Sequence, residues 1–117
     1  MSPISLGHLA KQNPRYRRAL DQLEAWINAH PQDRVLNPQK LRQDIRNVNP
    51  ADLTMALTLA TKAGLLRRVY KVLTPSGVLA DAEFDDPTAI PDKLPDRFEH
   101  YFETSDADVV PIFRRIA

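Results

Sequence analysis

The fold is most clearly indicated by residues 49–77, which run NPADLTMALTLATKAGLLRRVYKVLTPSG. Asn49 is a favourable helix N-cap, and Pro50 suits the first helical position, where its missing N–H would have no partner in any case. Gly64 can adopt the left-handed conformation that closes a helix. Between them, apolar side chains recur on one helical face at Leu53, Ala56, Leu57 and Ala60. The pattern predicts a helix from Pro50 that ends at Gly64.

Two extended runs follow this helix. Residues 65–72 alternate between two faces, which predicts a strand. The turn Thr74-Pro75-Ser76-Gly77 then leads into residues 78–84, whose alternation predicts a return strand that ends near Phe84. The two runs together predict a two-stranded hairpin.

Two more Asn-Pro pairs mark helix starts upstream. Asn13-Pro14 opens a helix to about His30, with Leu20, Leu23 and Ile27 at helical spacing, and Asn37-Pro38 opens a shorter one. A three-residue turn, residues 47–49, separates the short helix from the helix at Pro50. Its middle residue, Val48, is apolar and is expected to be buried.

This order of a short helix, a turn, a longer helix ending in Ala-Gly-Leu-Leu-Arg-Arg and two strands resembles the winged helix-turn-helix superfamily over about residues 14–84. The resemblance implies an α+β, mainly α fold: a three-helix winged helix-turn-helix with a two-stranded wing. We divide the chain into an N-terminal arm (1–12), the winged helix-turn-helix domain (13–84) and a Pro-rich acidic extension (85–117) packed on the same domain. A non-catalytic binding module is the expected function.

The extension is predicted to be irregular. Residues 85–97 contain three prolines and exclude a long regular element. Phe98, Tyr101 and Phe102 follow and are expected to be buried where the segment packs back. Residues 109–116 are apolar and predict a strand, in which Pro111 must lie at a sheet edge or on the side where no N–H is needed for pairing.

Composition predicts a soluble globular protein, since 43% of the 117 residues are hydrophobic and 26% are charged. The chain has no cysteine, which excludes a disulfide framework and thiolate metal sites. The N-terminus lacks the apolar run of a signal peptide, and no stretch has membrane-spanning length. We therefore expect a cytoplasmic protein without a membrane partner.

Residues that could perform chemistry do not form known catalytic patterns. His8, His30 and His100 are far apart, and none has a second metal ligand one helical turn away. The acidic residues at 81–86 lack the Gly-bearing loop of a calcium site. The three glycines form no phosphate-binding motif, and nothing in the sequence places a histidine base beside Ser76 or Ser105 as a nucleophile. We expect no enzyme activity, cofactor, metal or small-molecule substrate.

Charge divides unevenly along the chain. Residues 1–74 hold 12 Lys/Arg and 5 Asp/Glu, a net charge of +7, whereas residues 75–117 hold 4 and 10, a net charge of −6. Such asymmetry indicates binding to nucleic acid on one face, or head-to-tail association between molecules. An ordinary solvated surface with local ion pairs is the alternative.

The favoured hypothesis is a protein-interaction adaptor or a small subunit of a multi-component prokaryotic assembly. The outer face of the third helix carries a second, mostly apolar stripe: Ala51, Met55, Leu59 and Lys62. A helix that is apolar on two sides is usually covered on both. The stripe would be covered by a protein partner, by a second copy, or by the extension with Phe98 and Phe102, while the acidic half would meet a basic surface.

The alternative hypothesis is a small DNA-binding transcriptional regulator on double-stranded DNA. Basic residues on the wing and at the helix starts, Arg15, Arg17 and Arg18 among them, could neutralise phosphates. The third helix, however, lacks the Arg, Asn or Gln that makes bidentate base contacts. The candidate nucleic-acid-binding residues are Lys40, Arg42, Arg46, Thr54, Thr58, Lys62, Arg67, Arg68 and Lys71.

Overall fold

The computed structural model describes residues 4–116, and over this range the chain is a small α+β protein. Its helices are α1 (Gly7–Gln12), α2 (Arg17–Ala29), α3 (Pro38–Asp44) and α4 (Pro50–Lys62). Its strands are β1 (Val35–Leu36), β2 (Leu66–Val72), β3 (Lys93–Pro95), β4 (Tyr101–Glu103) and β5 (Val109–Arg115). Single 3-10 turns lie at Pro14–Tyr16 and Pro87–Ala89. No helix of the described range is both long enough and apolar enough to cross a membrane.

The described chain divides into two compact units. The first unit contains the residues up to Arg67 and those from Phe113 onward, and the second unit contains Arg68–Ile112. Strands β2 and β5 each begin in one unit and continue into the other. The chain therefore leaves the first unit within β2, forms the second unit, and returns to the first unit within β5.

Two of the predicted helix starts are confirmed in atomic detail. The Oδ1 atom of Asn49 accepts the N–H of Ala51 at 2.8 Å, and that of Asn37 accepts the N–H of Gln39 at 2.9 Å. Each Asn is followed by a Pro in the first helical turn. The helices begin here because a side chain binds an otherwise unpaired backbone donor and the Pro removes another.

The predicted end of α4 at Gly64 is also confirmed. Gly64 has a φ of 79°. Its N–H donates to the carbonyl of Thr61 at 3.1 Å, and the N–H of Leu65 donates to the carbonyl of Ala60 at 3.0 Å. This pair of bonds is a Schellman motif, which satisfies the last carbonyls of the helix and turns the chain toward β2.

The start at Asn13 differs from the prediction. Pro14 opens a 3-10 turn that leads into α2, and the Asn13 side chain caps neither element. Its Nδ2 instead donates to the carbonyl of Leu9 at 3.0 Å, at the end of α1. Helix α1 was not predicted, because six residues are too few to show a helical period.

The segment assigned to an N-terminal arm contributes to the core of the first unit. Ile4, Leu6 and Leu9 are all buried. The Asn28 side chain on α2 binds the backbone N–H and carbonyl of Ile4, both at 3.0 Å. Glu24 accepts the N–H of Leu6 at 2.5 Å. Two side chains of α2 therefore hold the segment against that helix.

The core of the first unit lies where α2 packs on α1 and α4, and where α3 packs on α4. The four α4 side chains predicted to face inward are all buried: Leu53, Ala56, Leu57 and Ala60. Trp26 is also buried, and its indole Nε1 donates to Asp44 Oδ2 at 2.9 Å, which ties α2 to the end of α3. Val48, expected to be buried in the turn, is half-buried and packs on this core.

The sheet differs from the predicted wing. The order of its regular strands is β1-β5-β2, so β5 and not the run at 78–84 is the regular strand beside β2. That run forms only isolated bridges, Tyr70 with Phe84 and Leu73 with Leu79. The Tyr70 and Phe84 backbones exchange hydrogen bonds at 2.7 and 2.9 Å, and the N–H of Ala80 donates to the carbonyl of Val72 at 2.8 Å. The run therefore returns beside β2 as predicted, but it does not form a regular strand. Alternation alone does not select a partner, and the strand that pairs is the one that places Phe113 in the core of the first unit.

The strand predicted at residues 109–116 is confirmed as β5, but it does not lie at a sheet edge. Strand β5 lies between β1 and β2, with Val35 opposite Arg114 and Leu36 opposite Phe113. Pro111 precedes the paired positions, so its missing N–H does not interrupt the β1–β5 ladder.

Candidate interaction surfaces

The outer face of α4 is less apolar in the structure than its sequence suggests. Ala51, Met55 and Lys62 are exposed, whereas Leu59 is half-buried and packs on the core. Met55, 37% exposed, is the only large apolar side chain of α4 that is substantially exposed. The predicted stripe therefore centres on Met55.

The threonines of α4 use their hydroxyl protons within the helix. The Oγ1 atoms of Thr54, Thr58 and Thr61 donate to the carbonyls four residues earlier, at 3.0, 2.9 and 2.8 Å. Their oxygens remain as acceptors, which phosphate oxygens cannot use. Lys62 is then the one α4 side chain with a charged donor, so this helix is poorly suited to reading base edges.

The basic residues proposed for nucleic-acid binding fall in both units. Lys40 and Arg42 are exposed on α3, and Lys62 and Arg67 are exposed further along the first unit. The Nε of Arg46 donates to the carbonyl of Gln43 at 3.0 Å, so this side chain helps to close α3. Arg68 and Lys71 are half-buried and belong to the second unit. The predicted set is thus divided between the units.

The charge asymmetry of the sequence coincides with the division into units. Residues 68–112 hold 4 Lys/Arg and 10 Asp/Glu, a net charge of −6, and the first unit holds 12 and 5, a net charge of +7. Each compact unit therefore carries charge of predominantly one sign. A charged unit attracts a partner surface of the opposite sign over about one Debye length.

A braced hairpin forms part of the acidic unit. We call residues 93–103 the aromatic hairpin; β3 and β4 pair across it, and Leu94 is buried beneath it. At its tip, Asp96 Oδ1 accepts the N–H groups of Phe98 and His100 at 2.8 and 2.9 Å. Glu99 has a φ of 63°, a left-handed conformation that costs energy in a residue with a Cβ. The tip is therefore held in one defined conformation.

The aromatic hairpin exposes two rings. Phe98 is 64% exposed and Tyr101 is 72% exposed, so the expected burial of these two side chains is wrong, while Phe102 is half-buried. The Arg97 guanidinium lies 5.2 Å from the centroid of the Phe98 ring. The sequence signal for this hairpin is Pro95-Asp96, a pair that is typical of a turn but does not indicate which side chains are exposed.

A basic pocket lies on the first unit between α1 and α2. Its volume is about 310 Å³, and its lining residues are Gly7, Ala10, Lys11, Pro14, Arg17 and Asp21. Apolar atoms of Gly7, Ala10 and Pro14 contribute to its walls. Arg15 and Arg18 are exposed in the same stretch of chain. This pocket was not predicted, because its walls come from α1.

An acidic pocket of about 300 Å³ lies on the second unit. Leu73, Pro75 and Phe102 supply its apolar walls, and its carboxylates come from Glu103, Asp106 and Asp108. It adjoins the aromatic hairpin, because Glu103 belongs to both.

The titratable side chains have structural partners. His30 Nδ1 donates to the carbonyl of Trp26 at 2.7 Å, and the two rings stack 4.1 Å apart. Hydrogen bonds from the Thr88 backbone and hydroxyl lower the pKa of the Asp86 carboxyl below its ordinary value. Within residues 4–116, no group of three or more His, Cys, Asp or Glu side chains could hold a metal ion.

No family model, curated protein or solved structure matches this chain.

Proposed function

We propose that this chain is a non-catalytic winged-helix binding module, a protein-interaction adaptor or a small subunit of a larger assembly. It docks through the Met55 face of α4 and through the acidic second unit. The order α2, β1, α3, α4, β2, β5 supports the winged-helix assignment, because a strand before the helix pair and two after it form one sheet.

The hydroxyl bonds of α4 carry the proposal. In a DNA-reading helix, the outer face supplies donors to bases and phosphates. Here Thr54 and Thr58 donate to their own helix, and Met55 is exposed between them. A flexible apolar side chain with small neighbours suits a protein surface better than a nucleic acid.

Met55→Asp tests the role of α4. The substitution places a charge in the proposed interface, so the partner captured from a lysate of the source cells by the tagged wild-type protein should be lost. Val35→Asp is the matched control, because Val35 is 39% exposed and lies in the first unit but outside α4. The α4 interface is refuted if Met55→Asp, shown by circular dichroism to be folded, captures the same partner in the same amount.

DNA binding is the second candidate function, and the net charge of +7 on the first unit favours it. Its test is fluorescence anisotropy with random-sequence duplex DNA, titrated from low to physiological salt. Binding that weakens steeply with salt would support it, and Arg67→Ala with Arg68→Ala should then lower the salt slope by about one for each phosphate that is no longer neutralised. No binding at low salt would exclude this candidate.

A further inference from the structure

We propose that the aromatic hairpin of one molecule docks into the basic pocket of a second copy of this chain. The inference rests on the proposed function, because it names the partner of the acidic unit. The unit that bears the hairpin has a net charge of −6 and the unit that bears the pocket has +7. Residues 93–103 themselves hold two cations, Lys93 and Arg97, and three carboxylates, a net charge of −1.

The hairpin is pre-formed for docking. Asp96 binds two backbone N–H groups at the tip, and Leu94 of β3 is buried, so the backbone that carries Phe98 and Tyr101 is already folded before docking. Two exposed rings on an ordered hairpin mark an interaction site, because an aromatic side chain in water forgoes its burial energy. A rigid aromatic surface also loses little conformational entropy when it binds.

The pocket matches the hairpin in size and chemistry. A volume of about 310 Å³ accommodates an aromatic ring, and Gly7, Ala10 and Pro14 provide apolar contact for it. Lys11, Arg17 and Asp21 line the same pocket, and Arg17 Nε lies 3.9 Å from Asp21 Oδ2. On the hairpin, Glu99 follows Phe98, and Glu103 shares a strand face with Tyr101. Docking a ring therefore brings carboxylates toward the Lys11 ammonium, while Arg97, 5.2 Å from the centroid of the Phe98 ring, approaches the Asp21 carboxylate.

The contact joins two different surfaces, so it is heterologous. Each molecule carries one hairpin and one pocket, and mutual exchange gives a closed pair, whereas one-sided exchange extends into a chain. In both cases association strengthens with protein concentration, and salt weakens it by screening the charged rim.

Sedimentation velocity from low micromolar to submillimolar protein tests self-association. At low salt the average mass should rise above the 13.3 kDa of one chain, and added salt should reverse the rise. Phe98→Ala with Tyr101→Ala should raise the dissociation constant at least about 30-fold, as expected for two central aromatic contacts. Val78→Ala, an exposed apolar truncation in the same unit, should leave the constant unchanged.

Complementation tests the identity of the two surfaces. Lys11→Glu with Arg17→Glu should abolish self-association, and so should the double alanine variant of the hairpin. A mixture of these two variants retains one intact hairpin and one intact pocket, so it should form a heterodimer. Circular dichroism checks that each variant is folded. If the double alanine variant of the hairpin is unfolded, Phe98→Asp is used in its place.

Three results overturn the proposal. The wild type stays at the mass of one chain at every concentration, which would leave the hairpin to a different protein. Either set of substitutions leaves the dissociation constant unchanged. The mixture of variants forms no heterodimer. Met55→Asp separates this inference from the proposed function, because it should release the α4 partner and leave self-association intact.

Discussion

At the scale of single residues, Gly64 shows how one backbone angle ends a helix. Its φ of 79° is left-handed, and a Cβ built on it would meet no atom within 4 Å. The cost of Gly64→Ala therefore comes from the backbone alone, and we expect the free energy of unfolding to fall by about 1 kcal/mol. Urea denaturation measures this change.

Gly7→Ala is the matched control for that substitution. Gly7 lies in α1 outside the left-handed region, and a Cβ there would approach only Ser5 Oγ, at 4.0 Å. Alanine is the better helix former, so stability should rise by up to about 1 kcal/mol. An equal loss at both positions would contradict the backbone explanation.

Arg115 is a charged residue whose side chain is buried. It is 5% exposed, and its Nε and Nη1 have no hydrogen-bond partner within residues 4–116. Burial of a guanidinium without full pairing costs free energy, so Arg115→Met should raise the free energy of unfolding by about 1–2 kcal/mol. The free energies of unfolding of Arg115→Met, which removes the charge, and of Arg115→Lys, which keeps it, are compared by chemical denaturation. A destabilised Met variant would show that the charge is favourable where it lies.

At the scale of elements, the Asn caps set where helices begin. Asn49→Ala removes the acceptor for the N–H of Ala51 and should lower the free energy of unfolding by about 1 kcal/mol. Asn49→Asp keeps an acceptor of nearly equal capping strength and should be close to neutral. Thermal or urea unfolding of the pair checks this, and equal destabilisation by both substitutions would argue against the cap.

The helices could be predicted because their signals are local. Asn37, Asn49 and Gly64 act on groups within a few residues, so the sequence around them contains the whole interaction. Strand pairing is not local. Val35 pairs with Arg114, and nothing near either residue indicates the other. Strand β1, with two residues, is also too short to show alternation.

The candidate surfaces also differ in whether a local sequence signal predicts them. Met55 was predicted from helical spacing, and its exposure agrees with an outer position on α4. The exposure of Phe98 and Tyr101 could not be predicted, because apolar composition gives the expectation of burial and only the geometry of the turn overrides it. The basic pocket depends on α1, which has no periodic signal of its own.

At the scale of the whole chain, charge was the most informative property of the sequence. Residues 1–74 have the same net charge as the first unit, and residues 75–117 have the same net charge as the second. The two divisions differ only in where they place residues 68–74 and 113–117, and each of these segments contributes two cations and no anion. A compositional boundary can therefore lie close to a structural one even where the chain crosses between units twice.

The central position of β5 also has a consequence for biosynthesis. Strands β1 and β2 leave the ribosome well before β5, which must pair with both. At ordinary elongation rates the delay is on the order of several seconds. During that time Leu36 and Leu66 have no strand between them, and the nascent chain is exposed to chaperones and to aggregation until Phe113 emerges.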